Sequence, residues 1–510
     1  MKLNGRRKQH VMIFRHCVRS TSSTVKLYTN SSEKSTPITD FTASPLPNWN
    51  VPDEWCTKEA LKTIKRTGKY LMNNILNEKN NNYAGTDEPI KIHFDIVSDT
   101  AYRDVDTSFA LSLGIKEALN DLHDKIEATG ISNLRLDDVL FKPIKSLTKT
   151  SDGDIFNEPI CSSSFSPKRK IQEINKKLRE LPKPTTNLND AITILENRGG
   201  IGISGSLKSL SRNSELNLYH DGNLQGSINV VKLMAQMMFY SRAGGIKPPF
   251  LPKATVNEVY TLLAWAEYVR NVISTDNVKA ALKGAILADS VIRNLREDID
   301  PTKHSYDEKV TILVGHDTNM DSIATAMGLR WSIPPPFYQG DHGEYLATPP
   351  GSAMYFTNDL DSNVVKMSYL FPIMVSGKGK SFHYNNTGIL ESIPMIFRED
   401  ENEEHNYNFS YDETSSFISS FRDNKTGVDI LFDRTASVLR IYPEASECFL
   451  NATKNVKQGA DVASSRGLVV SVLNNNMYIF ETFICLGLMF SFYFMYKWRG
   501  KHDKKDNILA

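Results

Sequence analysis

Arg15-His16-Cys17-Val18-Arg19 sets an imidazole between two guanidiniums at the end of a short apolar run, residues 11–14. Two further clusters follow apolar runs in the same way. Ser98-Asp99-Thr100-Ala101-Tyr102-Arg103 closes the run 90–97, and Gly315-His316-Asp317-Thr318-Asn319 closes the run 310–314. A neutral imidazole can attack phosphorus and form a phosphohistidine, which splits hydrolysis into two easier steps. Guanidiniums match phosphate oxygens and offset the charge of the transition state. These residue types make His16 the candidate nucleophile and Arg15, Arg19 and Arg103 the candidate phosphate-binding residues. His316 would donate to a phosphoryl oxygen as well. Asp317 is the candidate general acid that protonates the leaving oxygen and then, as base, activates water. Because the arginines supply the electrostatic stabilisation, no metal and no cofactor is expected.

Such residues meet only if the elements before them end at one edge. In an open parallel α/β sheet, ligands bind beyond the carboxyl ends of the strands. Each of the three apolar runs is β-branched or strongly apolar and predicts a buried strand. Helices are predicted after two of them, over 104–122 and 321–327, and a helix N-terminus favours anions. Helical spacing also marks 59–76, with Thr57 as its cap, and 171–181, 187–195, 229–241, 257–272 and 278–296. Residues 118–305 therefore read as a mainly α-helical insertion on an α/β body. Residues 352–356 and 364–371 predict a two-strand hairpin. The glycines of 199–205 mark a turn, since no strand precedes them and their spacing does not fit a dinucleotide fingerprint. From 375 to 476 the pattern is weak and polar, as expected for the end of the body followed by a stalk.

The charge is balanced, with 60 Lys and Arg against 59 Asp and Glu in 510 residues, so no global field would draw the chain to nucleic acid. Five cysteines lack metal-type spacing. One or two disulfides among Cys17, Cys56, Cys161 and Cys448 are compatible with the count, with no pairing fixed. Asn-x-Ser/Thr sequons stand at Asn30, Asn385, Asn408, Asn424 and Asn451 and mark glycosylation candidates. Residues 477–496 form a long apolar stretch, and about 20 residues suffice to span a bilayer core. Lys497, Arg499, Lys501, Lys504 and Lys505 follow. The positive-inside rule then predicts a single-pass protein with a cytosolic C-terminus and a luminal or extracellular body. Such a body needs an export signal. Residues 1–14 do not read as one, so a missing N-terminal segment is expected.

At its three clusters the chain resembles the histidine acid phosphatases, in which RHGxRxP stands near the N-terminus and HD near the C-terminal end. The matching residues are Arg15, His16 and Arg19, then Arg103, then His316-Asp317. Residues 329–356, with Trp331 and Thr348-Pro349-Pro350-Gly351, resemble the bacterial phytase and glucose-1-phosphatase subgroup in particular. The likeness spans about 11–120 and 225–375. It implies an α/β domain with a mainly parallel central sheet, whose site is covered by an α-helical cap. The expected domains are 10–120 with 305–455 for the α/β body and 121–304 for the cap. A linker over 456–476, a transmembrane helix over 477–497 and a basic tail over 498–510 complete them. The implied activity is that of a membrane-anchored acid phosphatase acting on small phosphate monoesters. A phosphatase specific for inositol phosphates, sugar phosphates or lysophospholipids is the first alternative, and an inactive, membrane-tethered phosphoester-binding protein the second. Two departures stand out. Cys17 replaces the family's glycine, and Ser20-Thr21 replace the residue and proline that follow its second arginine; Ser22-Ser23 also occupy positions where the phytases often carry a basic residue. A cysteine nucleophile is excluded, because tyrosine phosphatases need an arginine six residues after the cysteine and this chain has Ser23.

Overall fold

A computed structural model of the chain describes residues 8–29, 32–82, 92–129, 139–141, 145–146, 156, 167–210, 216, 218, 222–296, 308–333, 346–376, 382–385, 387–398, 417–418 and 426–451. The chain divides into two units, Met1–Leu450 and Asn451–Ala510, and every element below lies in the first.

The elements of the body run in the order β1 (Lys8–Arg15), α1 (Lys58–Asn82), β2 (Ile92–Ser98), α2 (Tyr102–Thr129), β3 (Val139–Phe141) and β4 (Lys145–Ser146). Five helices follow: α3 (Pro167–Glu180), α4 (Leu188–Gly199), α5 (Ile228–Ala243), α6 (Val256–Ser274) and α7 (Val278–Leu295). Then come β5 (Glu308–Gly315), α8 (Asp317–Met327), β6 (Ala353–Asp359), β7 (Val364–Pro372), β8 (Leu390–Pro394), β9 (Phe417–Ile418) and α9 (Gly427–Leu439). The nine strands form one sheet in the order β8-β7-β6-β1-β5-β2-β3, with β4 also on β2 and β9 also on β7.

The sheet is mixed. β1, β5, β2, β3 and β4 are joined by parallel pairings, while β6, β7, β8 and β9 are joined by antiparallel ones. Strands β1 and β5 are buried along almost their whole length, which is why they read as continuous apolar runs. Helices α1 and α2 cross closely on one face. A Cβ on Gly68 would run into the backbone carbonyl of Leu111, and one on Gly114 into that of Lys65. Helix α7 approaches α8 at Gly284, where a Cβ would meet the Ser322 carbonyl. Its Asn294 accepts hydrogen bonds from Lys309 and Thr311 of β5, so α7 flanks the sheet.

Some elements differ from the sequence reading. Helix α8 starts at Asp317 rather than 321, because Asn319 turns back and accepts the His316 N–H at 2.8 Å. Residues 427–439 are a helix of the body, opened by a capping box of Thr426 and Asp429 and burying Val428, Leu431 and Leu439. Val428, Leu431 and Leu439 recur at helical spacing behind the Thr426 cap, a signal that the reading of 375–476 as weak and polar overlooks. The membrane location is corrected too. Among the described residues no helix is long and apolar enough to cross a membrane. Residues 477–497, on which that expectation rested, lie outside the described residues, as do the sequons at Asn30, Asn408 and Asn424. Asn385 and Asn451 are described, and Asn451 is exposed.

Candidate active site

Strand register brings the three clusters to one level. Arg15 pairs with Gly315 across β1 and β5, and Ser98 with Val314 across β2 and β5. The next residues are therefore side by side: His16 N–H donates to the Gly315 carbonyl and Asp99 N–H to the Val314 carbonyl, both at 2.9 Å. Gly315 has to be small, since a Cβ there would sit 2.7 Å from Asn319 Oδ1 and against the Phe156 ring.

His16 is buried, and its ring lies edge-on to that of His316 with centroids 5.5 Å apart. Its Nδ1 is 2.8 Å from the Cys17 carbonyl. A carbonyl only accepts, so Nδ1 carries the hydrogen and Nε2 keeps its lone pair. Burial, followed by the positive charges of Arg15, His316, Arg103 and Arg19, holds the imidazole well below its usual pKa. The neutral form is thereby favoured.

Arg15 is buried and donates from Nη2 to Asp317 Oδ2 at 2.8 Å and to the Tyr240 hydroxyl at 2.9 Å, and from Nη1 to the Thr348 carbonyl. Arg19 donates to its neighbour, the Ser20 carbonyl, and lies 5.8 Å from the Tyr240 ring centroid. Arg103, in the first turn of α2, donates from Nη2 toward His316 Nδ1 at 3.4 Å. The Nε groups of all three arginines are buried and make no hydrogen bond. Three guanidiniums acting on one imidazole concentrate positive charge that an anion would offset.

His316 Nε2 faces two carboxylates, Asp99 Oδ2 and Asp104 Oδ2, each at 3.3 Å. Asp104 is fully buried, and burial, eased by His316 and Arg103, pushes its carboxyl up to about 7. Asp317 is half-buried at the first position of α8, where the helix dipole favours negative charge. Burial alone would raise its carboxyl, but Arg15, Arg270, His16 and His316 outweigh that and hold it well below the usual range. Arg270 of α6 is itself buried between Glu267 and Asp321.

Asp99, Asp104 and His316 lie close enough together to share a cation. Their donor set of two carboxylates and one imidazole suits a divalent ion in type. The Arg103 guanidinium on the same imidazole supplies positive charge beside them, while both Asp104 oxygens are buried without a hydrogen-bond partner.

Structure thus places all six sequence-predicted residues together: Arg15, His16, Arg19, Arg103, His316 and Asp317. Sequence reasoning missed several neighbours. Cys17 forms a disulfide with Cys56 and is fully buried. Glu54 contacts Arg19 at 3.7 Å and Arg103 at 3.2 Å. Tyr240 and half-buried Lys232 reach the site from α5, where burial lowers the Lys232 pKa against the pull of Asp317. Of these, Cys17 alone sits in a motif, and the sequence left its partner open. Glu54 and Cys56 belong to the irregular proline-rich segment 44–56, and Tyr240 to a helix that reads simply as core.

The fold has counterparts among solved structures. The phytase of Citrobacter braakii matches with a TM-score of 0.57 at 16% identity, over 86% of this chain and 99% of that one. The fold is that of the bacterial phytases. The Hafnia alvei phytase bound to myo-inositol hexakis sulphate matches with a TM-score of 0.51 at 16% identity, over 73% of this chain and 86% of the other. The Klebsiella sp. ASR1 phytase gives 0.51 at 13%, over 85% and 96%. At such identities the likeness shows the fold alone. No protein-family model and no curated protein matches the chain.

Proposed function

We propose that the chain hydrolyses phosphate monoesters. The observation that carries this reading is that the charges of Arg15, Arg19 and Arg103 all act on one buried histidine, whose Nδ1 donates to the Cys17 carbonyl and leaves Nε2 its lone pair. His16 Nε2 attacks phosphorus, the bond from phosphorus to the leaving oxygen breaks, and Asp317 gives that oxygen a proton. Water then attacks the phosphohistidine, yields a proton to the Asp317 carboxylate, and releases phosphate and His16. The arginines hold the non-bridging oxygens through both steps. With Nδ1 accepting from Arg103, His316 carries its hydrogen on Nε2, faces Asp99 and serves as the donor to a phosphoryl oxygen.

Asp317 is ionised while Arg15 holds it. A bound phosphate dianion draws on the same guanidinium, raises the carboxyl and readies it as an acid, so the optimum lies on the acid side. His16→Ala is expected to abolish turnover of nitrophenyl phosphate, and the wild-type enzyme quenched in alkali should carry a phosphoryl group that is stable to base and lost in acid. Retained turnover in His16→Ala would sink the assignment. The inositol-phosphate reading is compatible with the fold, since the Hafnia alvei phytase binds a hexasulphated inositol.

A further inference from the structure

Beside the three arginines stands a group that the reaction does not use. Glu54 is half exposed, and its two carboxylate oxygens reach separate arginines: Oε1 lies 3.7 Å from Arg19 Nη1 and Oε2 3.2 Å from Arg103 Nη1. Its backbone is held at φ 54–66° together with Asn50 in the same segment, Glu54 itself at 66°. A side chain other than glycine is uncommon there, so the turn fixes where the carboxylate points. The residue after Glu54 is Trp55, and the residue before Arg103 is Tyr102. These two rings stack at 4.8 Å with 26° between their planes, and both are exposed, Trp55 by 37% and Tyr102 by 68%. A negative charge and an exposed aromatic pair thus border two of the three arginines. Exposed stacked aromatics form a surface on which a flat or apolar group can lie.

Resting on the phosphatase reading above, we propose that Glu54 and the Trp55–Tyr102 pair select the substrate: a single phosphate on an aromatic or otherwise flat, weakly charged leaving group, and not a polyphosphorylated ring. One phosphate can displace Glu54 from Arg19 and Arg103. A second phosphate at the rim would meet the displaced carboxylate, and like charges at close range are disfavoured. An aromatic leaving group has no such conflict and gains contact with the two rings.

The test compares kcat/KM of the full chain for nitrophenyl phosphate, glycerol 2-phosphate and inositol hexakisphosphate at pH 5, in wild type, Glu54→Gln, Trp55→Ala and Lys232→Ala. Wild type is expected to favour nitrophenyl phosphate over inositol hexakisphosphate by at least tenfold. Glu54→Gln should raise the inositol hexakisphosphate value relative to nitrophenyl phosphate by fivefold or more. Trp55→Ala should lower nitrophenyl phosphate relative to glycerol 2-phosphate by a similar factor. A carboxylate that only steadies the arginines would instead change all three substrates alike in Glu54→Gln, and that result overturns the proposal. So does a wild-type preference for inositol hexakisphosphate that Lys232→Ala removes, since it would mark a polyphosphate site. Turnover of none of the three esters by wild type would refute the phosphatase reading, and this selection with it.

Discussion

Asp317 has two demands on it that a single pKa cannot meet. Its ion pair with Arg15 holds it ionised at rest, yet a general acid must carry a proton when the ester bond breaks. On the proposed mechanism the arginine resolves this by changing partners, from carboxylate to phosphate. The consequence is measurable through the leaving group. Asp317→Asn is expected to slow an alkyl phosphate by roughly 10²–10⁴, the usual scale of general acid catalysis, and to slow nitrophenyl phosphate far less, because nitrophenolate leaves without a proton. Equal losses on both esters would count against Asp317 as the acid. His16 shows the complementary logic. Burial and four neighbouring cations keep it neutral, and one carbonyl contact selects the tautomer that can attack.

At the scale of elements, the loop after β1 is held from several sides. The Cys17–Cys56 disulfide links it to the start of α1. Cys17 N–H donates to Thr107 of α2 at 3.0 Å, and Thr107 donates to the Arg103 carbonyl at 2.6 Å. One small network therefore positions the nucleophile's neighbour and the third arginine together. Replacing both cysteines by serine is expected to cost about 2–4 kcal/mol in urea unfolding, as for a typical native disulfide, and to lower kcat more than it raises KM. An unchanged kcat in that double variant would show that hydrogen bonds alone hold the loop. The crossing of α1 and α2 depends on Gly68 and Gly114. Gly114→Val pushes a side chain into the Lys65 carbonyl and should cost at least ~1–3 kcal/mol, read from the urea midpoint. A variant as stable as wild type would mean that the two helices separate freely.

For the molecule as a whole, the site is a store of buried charge that makes stability depend on pH. The Asp104 carboxyl titrates at about 7 in the folded protein, above ~3.9 in an unfolded chain. The folded state therefore binds this proton more tightly. The group's contribution is full below about pH 4 and is lost as pH rises through 7. Its size is on the order of a few kcal/mol, at ~1.4 kcal/mol per pKa unit. His16 works in the opposite sense, since its folded value is depressed, so total stability alone is not diagnostic. The difference between wild type and Asp104→Asn is. That difference in unfolding free energy should shift against wild type between pH 5 and pH 8, and a gap that stays constant across the range would mean that Asp104 is ionised throughout.

Much of this molecule was legible in the chain. Buried parallel strands need apolar side chains on both faces, so β1, β2 and β5 announced themselves, and the charged residues that ended them marked one edge. The order Arg15-His16-x-x-Arg19, Arg103, His316-Asp317 was enough to predict a phosphate pocket, because those residue types are costly to gather for any purpose other than binding an anion. Other features came only from tertiary packing. Register, not sequence, set Arg15 level with Gly315, and the site closes because β5 lies between β1 and β2. Cys17 had no readable partner until the fold brought Cys56 to it. Glu54, Tyr240 and Asp104 carry no local signal at all. What each does depends on the distance to a residue far away in the chain, and only the folded chain fixes such distances.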